Sequence, residues 1–262
     1  MIGAPGQREV RGACCSVWTH PLARVLLGDG LHPGGGETTA TTVAALGLAP
    51  GSLVLDVGCG PGSGLRALSE AGLVGIGIDL AAEAAGAACE VGVAVVGAAE
   101  NLPIPNECMD GAIAECVLSL VPDKAAAMGE LQRVVRPGGR IAFSDVTLHG
   151  PLPLPLGPVA TWSACVGGAL GASGYEALLE DSGFQHVTTL TLDHDLTALL
   201  EQVRRRLAVA EMAVRAGRLD LASLHPGLGP EALAAVRGLL SLGLDAVAQG
   251  TLGYRLFTAS RA

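Results

Sequence analysis

Val54-Leu55-Asp56-Val57-Gly58-Cys59-Gly60-Pro61-Gly62 decides how the rest of this chain is read. An apolar strand carrying one acid runs into glycines at alternate positions, and helical sequence begins directly afterwards. Glycine has no Cβ, so the backbone can turn sharply there while a ligand lies against it. The next apolar run, Leu73 to Ile78, ends at Asp79, 21 residues beyond Gly58. A carboxylate at about that spacing meets a ribose hydroxyl of a nucleotide lying across the strand ends. Together these features predict a binder of a nucleotide-type cofactor.

Outward from that stretch, strands are predicted near 52–57, 73–78, 92–96, 110–115 and 139–146, and helices near 63–71, 82–89 and 123–136. Asp123 stands at an N-cap position, and Arg136-Pro137-Gly138-Gly139 breaks the helix that it opens. Strands that are apolar almost throughout and alternate with helices imply a parallel sheet covered on both faces. After the proline-rich stretch from Gly150 to Pro158, a helix near 174–182 and a strand near 185–192 are expected. Residues 196–248, rich in Leu, Ala and Arg, read as two or more helices broken around His225-Pro226-Gly227, and Thr251 to Ser260 reads as a closing strand. Upstream, Cys14 to Leu27 has helical spacing, and Gly28 to Gly36 is too glycine-dense for a helix interior. That loop is a connector or a mobile cover. The organisation expected is a lead-in and lid over 1–45, a cofactor-binding core over 46–195, and a helical insert with the closing strand over 196–262.

Composition narrows the function. Half of the 262 residues are apolar, yet no apolar run reaches the roughly 18 residues of a membrane span. The N-terminal residues lack the apolar centre of a signal peptide, so a cytoplasmic protein is expected. Net charge is −9, with one lysine among 16 basic residues and seven aromatic residues in all, so no basic, aromatic-studded face for nucleic acid is expected. Seven cysteines without a Cys-x-x-Cys pair argue against both a disulfide framework and structural zinc. Cys59, Cys89 and Cys108 read as small buried hydrophobes.

The spacing Asp56-x-Gly58-x-Gly60-x-Gly62 resembles motif I of the class I S-adenosylmethionine-dependent methyltransferases. A dinucleotide fingerprint would instead want glycine at Ser63 and would leave Asp56 unexplained. Asp79 fills the ribose-binding acidic slot of that class, Ala99-Glu100-Asn101-Leu102-Pro103 is similar to its adenine-side loop, and Val134 to Gly139 is similar to the exit of its fourth helix. The resemblance implies an α/β, Rossmann-like fold with a seven-stranded, mostly parallel sheet whose last strand is antiparallel and preceded by a helical insert. It implies S-adenosylmethionine as cofactor, held by Asp56, Gly58, Cys59, Gly60, Gly62, Asp79, Leu80, Ala99 and Glu100. Glu115, just inside the site, is a contact to the cofactor or to the substrate, or else a solvated strand end. Ala98 departs from the pattern, because many relatives carry there an Asp that meets the adenine amine.

Two further stretches, Cys116-Val117-Leu118-Ser119-Leu120-Val121-Pro122-Asp123-Lys124 and Cys165-Val166-Gly167-Gly168-Ala169-Leu170, with Phe143-Ser144-Asp145-Val146 between them, resemble the arsenite methyltransferases. Ala13-Cys14-Cys15-Ser16 is similar to that family's N-terminal cysteine motif. The resemblance implies trivalent arsenic as the substrate, with Cys116 and Cys165 as main ligands and Cys14 or Cys15 as the third. It also implies thioredoxin or glutathione as reductant. Soft arsenic prefers thiolates, and its own lone pair is the nucleophile, which explains why no general base stands beside Cys116. The family's further cysteine before motif I is replaced by Asp29, and residues beyond 195 have no clear counterpart.

Two other readings stay open at this level. One is a methyltransferase acting on oxygen, nitrogen or carbon of a small metabolite, with His20, His32 or His149 as base. The other is a sensor that binds the cofactor or a metalloid without turnover.

Overall fold

The computed structural model describes residues 32–151, 165–220 and 230–262. The helical segment expected over Cys14–Leu27, both N-terminal cysteines, His20 and the break at His225-Pro226-Gly227 lie outside the described residues.

The first element is a helix, α1 (Gly35–Ala45). Then follow β1 (Leu53–Val57), α2 (Ser63–Glu70), β2 (Val74–Asp79), α3 (Ala82–Ala88), β3 (Val93–Val96) and β4 (Met109–Glu115). A short 3-10 turn, Leu118–Leu120, leads into α4 (Lys124–Val134) and β5 (Val135–Leu148). The chain closes with α5 (Ala172–Asp181), β6 (Phe184–Thr191), α6 (Asp193–Arg215), α7 (Pro230–Ala248) and β7 (Leu252–Arg261).

The seven strands form one sheet in the order β3-β2-β1-β4-β5-β7-β6. The first five in that order pair parallel, and β7 runs antiparallel between β5 and β6. The expected fold class is therefore the observed one. Strand order reverses between β1 and β4, and at such a switch point the loops after the two strands diverge and leave a crevice.

Strands and helices form where their side chains can be buried. Leu55, Val57, Ala112, Ala114, Ile141 and Phe143 alternate onto one face of the sheet, where α4 and α5 cover them with Met128, Leu131, Tyr175 and Leu179. Phe143, Tyr175 and Phe257 form an aromatic triangle there, with centroids 4.9–5.7 Å apart. The opposite face, with Val54, Ile113 and Ala142, packs against Val43 and Leu46 at the end of α1, Leu65 and Leu68 of α2, and Leu196 of α6. Val203 and Leu207 of α6 meet Leu233 and Leu240 of α7 in a separate small cluster. Among the described residues no helix is long and apolar enough to cross a membrane.

Two local expectations change. The glycine-rich stretch 28–36 ends inside a helix, because Gly34 supplies a left-handed N-cap at φ 75° and Gly35 and Gly36 form the first turn. A side chain at Gly34 would collide with the Thr38 hydroxyl at 1.8 Å, so glycine is required there for packing as well as conformation. The strand expected at 139–146 begins at Val135, directly at the end of α4, and takes in Pro137 and Gly138 through a register shift against β4.

Candidate active site

The crevice is built by the carboxyl ends of β1, β2 and β4. Gly58 and Cys59 donate their amides to the Ile78 carbonyl, at 2.7 and 3.0 Å, which fastens the glycine loop to the end of β2. Gly58, Gly60 and Gly62 all have positive φ, at 73°, 52° and 96°, a region where residues with a Cβ are strained. A Cβ on Gly58 would lie 2.3 Å from Val117, whereas one on Gly60 would enter open space beside the cavity. Gly62 caps α2 without a side-chain acceptor, so the first amides of that helix are left for a ligand.

Asp79 closes β2 with each carboxylate oxygen on a backbone amide, Gly60 at 2.9 Å and Ala81 at 2.8 Å. It therefore both orders the start of α3 and keeps lone pairs for a diol. Asp56 behaves differently. Its side chain is buried, and Oδ2 has no hydrogen-bond partner. Burial, and then the charges of Glu115 and Asp79, push its carboxyl well above the usual range. Gly64 of α2 leaves the space this side chain needs, since a Cβ there would fall 2.3 Å from Oδ2.

The cavity at this crevice measures about 250 Å³. Asp56, Gly58, Cys59, Gly60, Asp79, Leu80, Ala99, Glu100, Glu115 and Cys116 all line it. Gly62 does not line it but holds the turn that shapes it. Cys59 turns its thiol onto Gly77 and donates weakly to the Gly60 carbonyl at 3.7 Å; burial raises its pKa, so it stays a neutral, packed thiol. Ala98 lines the cavity too, and it pairs with Asn101 in an isolated bridge that shapes the loop after β3.

On the far side of β4 the two candidate thiols meet. Cys116 has φ 54° and Cys165 φ 62°, and each non-glycine residue held in this region costs on the order of 1–3 kcal/mol. The Cys116 amide is fixed on the Ser144 carbonyl at 2.8 Å. Its thiol, with the Cys165 thiol as a neighbour, donates to the Tyr254 hydroxyl at 3.7 Å, and Tyr254 in turn donates to Ser144 Oγ at 2.8 Å. The Cys165 contact, burial, and the charges of Cys165 and Asp145 hold the Cys116 thiol above its ordinary value. Cys116 lines the cavity, while Cys165 does not line it and is buried in the apolar cluster that includes Val146, Leu196 and Tyr254. Cys14 and Cys15 lie outside the described residues, and no third ligand joins the pair among those described.

Thr39, Thr42 and Tyr254 carry no sequence signal. Thr39 and Thr42 of α1 donate to Glu115, and His32 stands beside them, which makes Glu115 a buried, bonded group and not a solvated strand end. Tyr254 and Ser144 belong to strands whose pairing only the fold reveals. Of the alternative bases, His32 lines the cavity, His149 lies outside it, and His20 is outside the described residues.

A glycine cradle, an acid at the end of each of two strands and a cavity at the switch point fit a nucleoside-linked cofactor. A family model described as a methyltransferase domain matches residues 55–143, the span that contains all three.

The chain carries a class I methyltransferase domain.

Domains of this class use S-adenosylmethionine. Of curated proteins, an arsenite methyltransferase of Halobacterium salinarum is 34% identical over 200 residues, 67% of this chain and 50% of that protein. A second, from Aquipseudomonas alcaligenes, is 29% identical over 197 residues, 66% of this chain and 56% of that protein. The chain thus spans about half the length of these relatives. A solved structure of the cyclopropane synthase MmaA2 of Mycobacterium tuberculosis superposes with a TM-score of 0.75 at 15% identity, over 100% of both chains, and shares the fold.

Proposed function

We propose that this chain transfers the methyl group of S-adenosylmethionine to trivalent arsenic, as arsenite or methylarsenite, held by the thiols of Cys116 and Cys165. One observation carries the reading: two cysteines 49 positions apart, both in left-handed backbone, are neighbours, with Cys116 in the wall of the donor cavity. The relatives named as arsenite methyltransferases support it. Packing alone gives no reason to hold both residues in strained backbone.

Bound donor supplies an electrophilic methyl group on a sulfonium. The chain supplies position. Gly58, Gly60 and Asp79, with Leu80, Ala99 and Glu100, hold the nucleoside part, and Cys116 stands next to the wall formed by Gly58 and Val117. Orientation of this kind is worth about 7–11 kcal/mol of barrier. With the Cys116 thiol protonated at rest, arsenic binding itself displaces the protons, and no side-chain base is required. Cys15, or Cys14 beside it, is the proposed third ligand from the N-terminal segment. Methylation takes arsenic to the pentavalent state. Two thiols that give up two electrons and close a disulfide return it to the trivalent state, and thioredoxin or glutathione then reduces that disulfide.

The test is a product assay by mass with arsenite, S-adenosylmethionine and a thiol reductant. Cys116→Ser and Cys165→Ser are each expected to abolish methylated arsenic while leaving donor affinity within about twofold, since neither thiol is among the residues assigned to the donor. Undiminished product in either variant removes arsenic as the acceptor.

A further inference from the structure

One buried polar pair behind Cys116 has no task in the methyl transfer described above. Tyr254 of β7 and Ser144 of β5 are fully buried. Ser144 stands opposite Leu256 in the β5–β7 ladder, which makes Tyr254 its diagonal neighbour on the same face of the sheet. The pair grips Cys116 twice. Ser144 accepts the Cys116 amide on its carbonyl at 2.8 Å and the Tyr254 hydroxyl on its Oγ at 2.8 Å, and the Tyr254 oxygen accepts from the Cys116 thiol at 3.7 Å. The tyrosine backbone is itself held fast. Its amide donates to Asp193 at the start of α6 at 2.8 Å, and its carbonyl accepts from the Leu192 amide and the Arg255 guanidinium, both at 2.9 Å.

A buried phenol needs a partner, and Ser144 supplies one. Replacing both members of such a pair by apolar groups of the same shape is nearly neutral for stability. Packing therefore leaves the contact to sulfur unexplained. A phenol and an alcohol each donate one hydrogen bond and accept others, whereas a thiol donates weakly and a thiolate only accepts. The chain from sulfur through Tyr254 to Ser144 can thus run in either direction. At rest Cys116 donates to Tyr254, and Tyr254 to Ser144. When arsenite binds, an As–S bond forms and an As–O bond breaks, and the thiol proton leaves with that oxygen as water. The sulfur is then left with lone pairs alone. In the reversed chain Ser144 donates to Tyr254 and Tyr254 to the sulfur, so no buried polar atom in it loses its partner. Burial, and then the charges of Cys116 and Glu115, keep the phenol protonated and its O–H available. The reversed chain is the stronger one. An O–H on a sulfur with thiolate character is charge-assisted, whereas an S–H on oxygen is weak.

We propose that Tyr254 is a positioning residue for the arsenic ligand Cys116, its hydroxyl turning from Ser144 to the sulfur once arsenic has replaced the thiol proton and so favouring the arsenic-bound state. The proposal rests on the arsenic reading of Cys116.

Equilibrium titration of the full chain with arsenite, under a reductant that is not a thiol, and separately with S-adenosylmethionine tests it. Tyr254→Phe keeps the ring and removes only the hydroxyl. It is expected to weaken arsenite by about tenfold and S-adenosylmethionine by less than about twofold. Ser144→Ala leaves the phenol free to face the sulfur, and is expected to keep arsenite affinity within about twofold. That contrast separates a bond to sulfur from packing, which would make the two variants alike. Unchanged arsenite affinity in Tyr254→Phe overturns the proposal. So does equal weakening of arsenite and donor, equal weakening of arsenite by both variants, or a Tyr254→Phe chain that does not fold. A wild type that binds S-adenosylmethionine but not arsenite overturns the acceptor reading, and the role of Tyr254 with it.

Discussion

At the scale of single residues, the site works through backbone geometry and burial more than through reactive chemistry. Gly58 sits at φ 73° with Val117 2.3 Å from the place of its missing Cβ. Gly58→Ala is therefore expected to cut donor affinity by about tenfold or more, measured by titration, because strain and collision act together. Asp145 gives a second test. Its fully buried carboxylate accepts the amides of Ser119 and Val146 at 2.9 and 2.8 Å, yet burial outweighs them and raises its pKa from 3.8 to about 6. Between those two values the folded chain holds a proton that the unfolded chain has lost. Stability from this group therefore falls as pH rises from about 4 to about 6 and stays level above, a change on the order of 3 kcal/mol. Denaturation of Asp145→Asn across that range should lack this slope, and an unchanged slope would put the titration elsewhere.

At the scale of elements, the parts visible in sequence are those set by local chemistry. Asp123 caps α4 by accepting the Ala126 amide at 2.9 Å, as its place before a helical run predicts. Asp123→Ala should cost about 1 kcal/mol in chemical denaturation, with donor binding unaffected. The strand cores were legible for the same reason, since near-continuous apolar runs between breakers have few other uses. Helix α1 was not, because its first turn is made of glycines, and what holds it is Thr38 on Asp195 and Thr39 and Thr42 on Glu115, contacts 73 to 157 residues apart. The start of β5 was also missed. Pro137 and Gly138 mark a break locally, but a register shift against β4 absorbs them.

At the scale of the whole molecule, sheet order does the assembling. Placing β4 beside β1, and β7 between β5 and β6, sets the glycine loop, Glu115 and Cys116 around one crevice and brings Tyr254 under the Cys116 thiol. The motif-I glycines and Asp79 were readable because their spacing is fixed by a turn and one strand. The second thiol, Cys165, could be named only through resemblance, since no spacing rule links it to Cys116. The central claim is that these two sulfurs grip a single arsenic atom beside the donor. Arsenic-edge X-ray absorption on the chain with stoichiometric trivalent arsenic measures this directly. At least two sulfur neighbours in the wild type, with one lost in Cys116→Ser and one in Cys165→Ser, is the predicted result. An oxygen-only shell, or a sulfur shell that neither substitution changes, would contradict it.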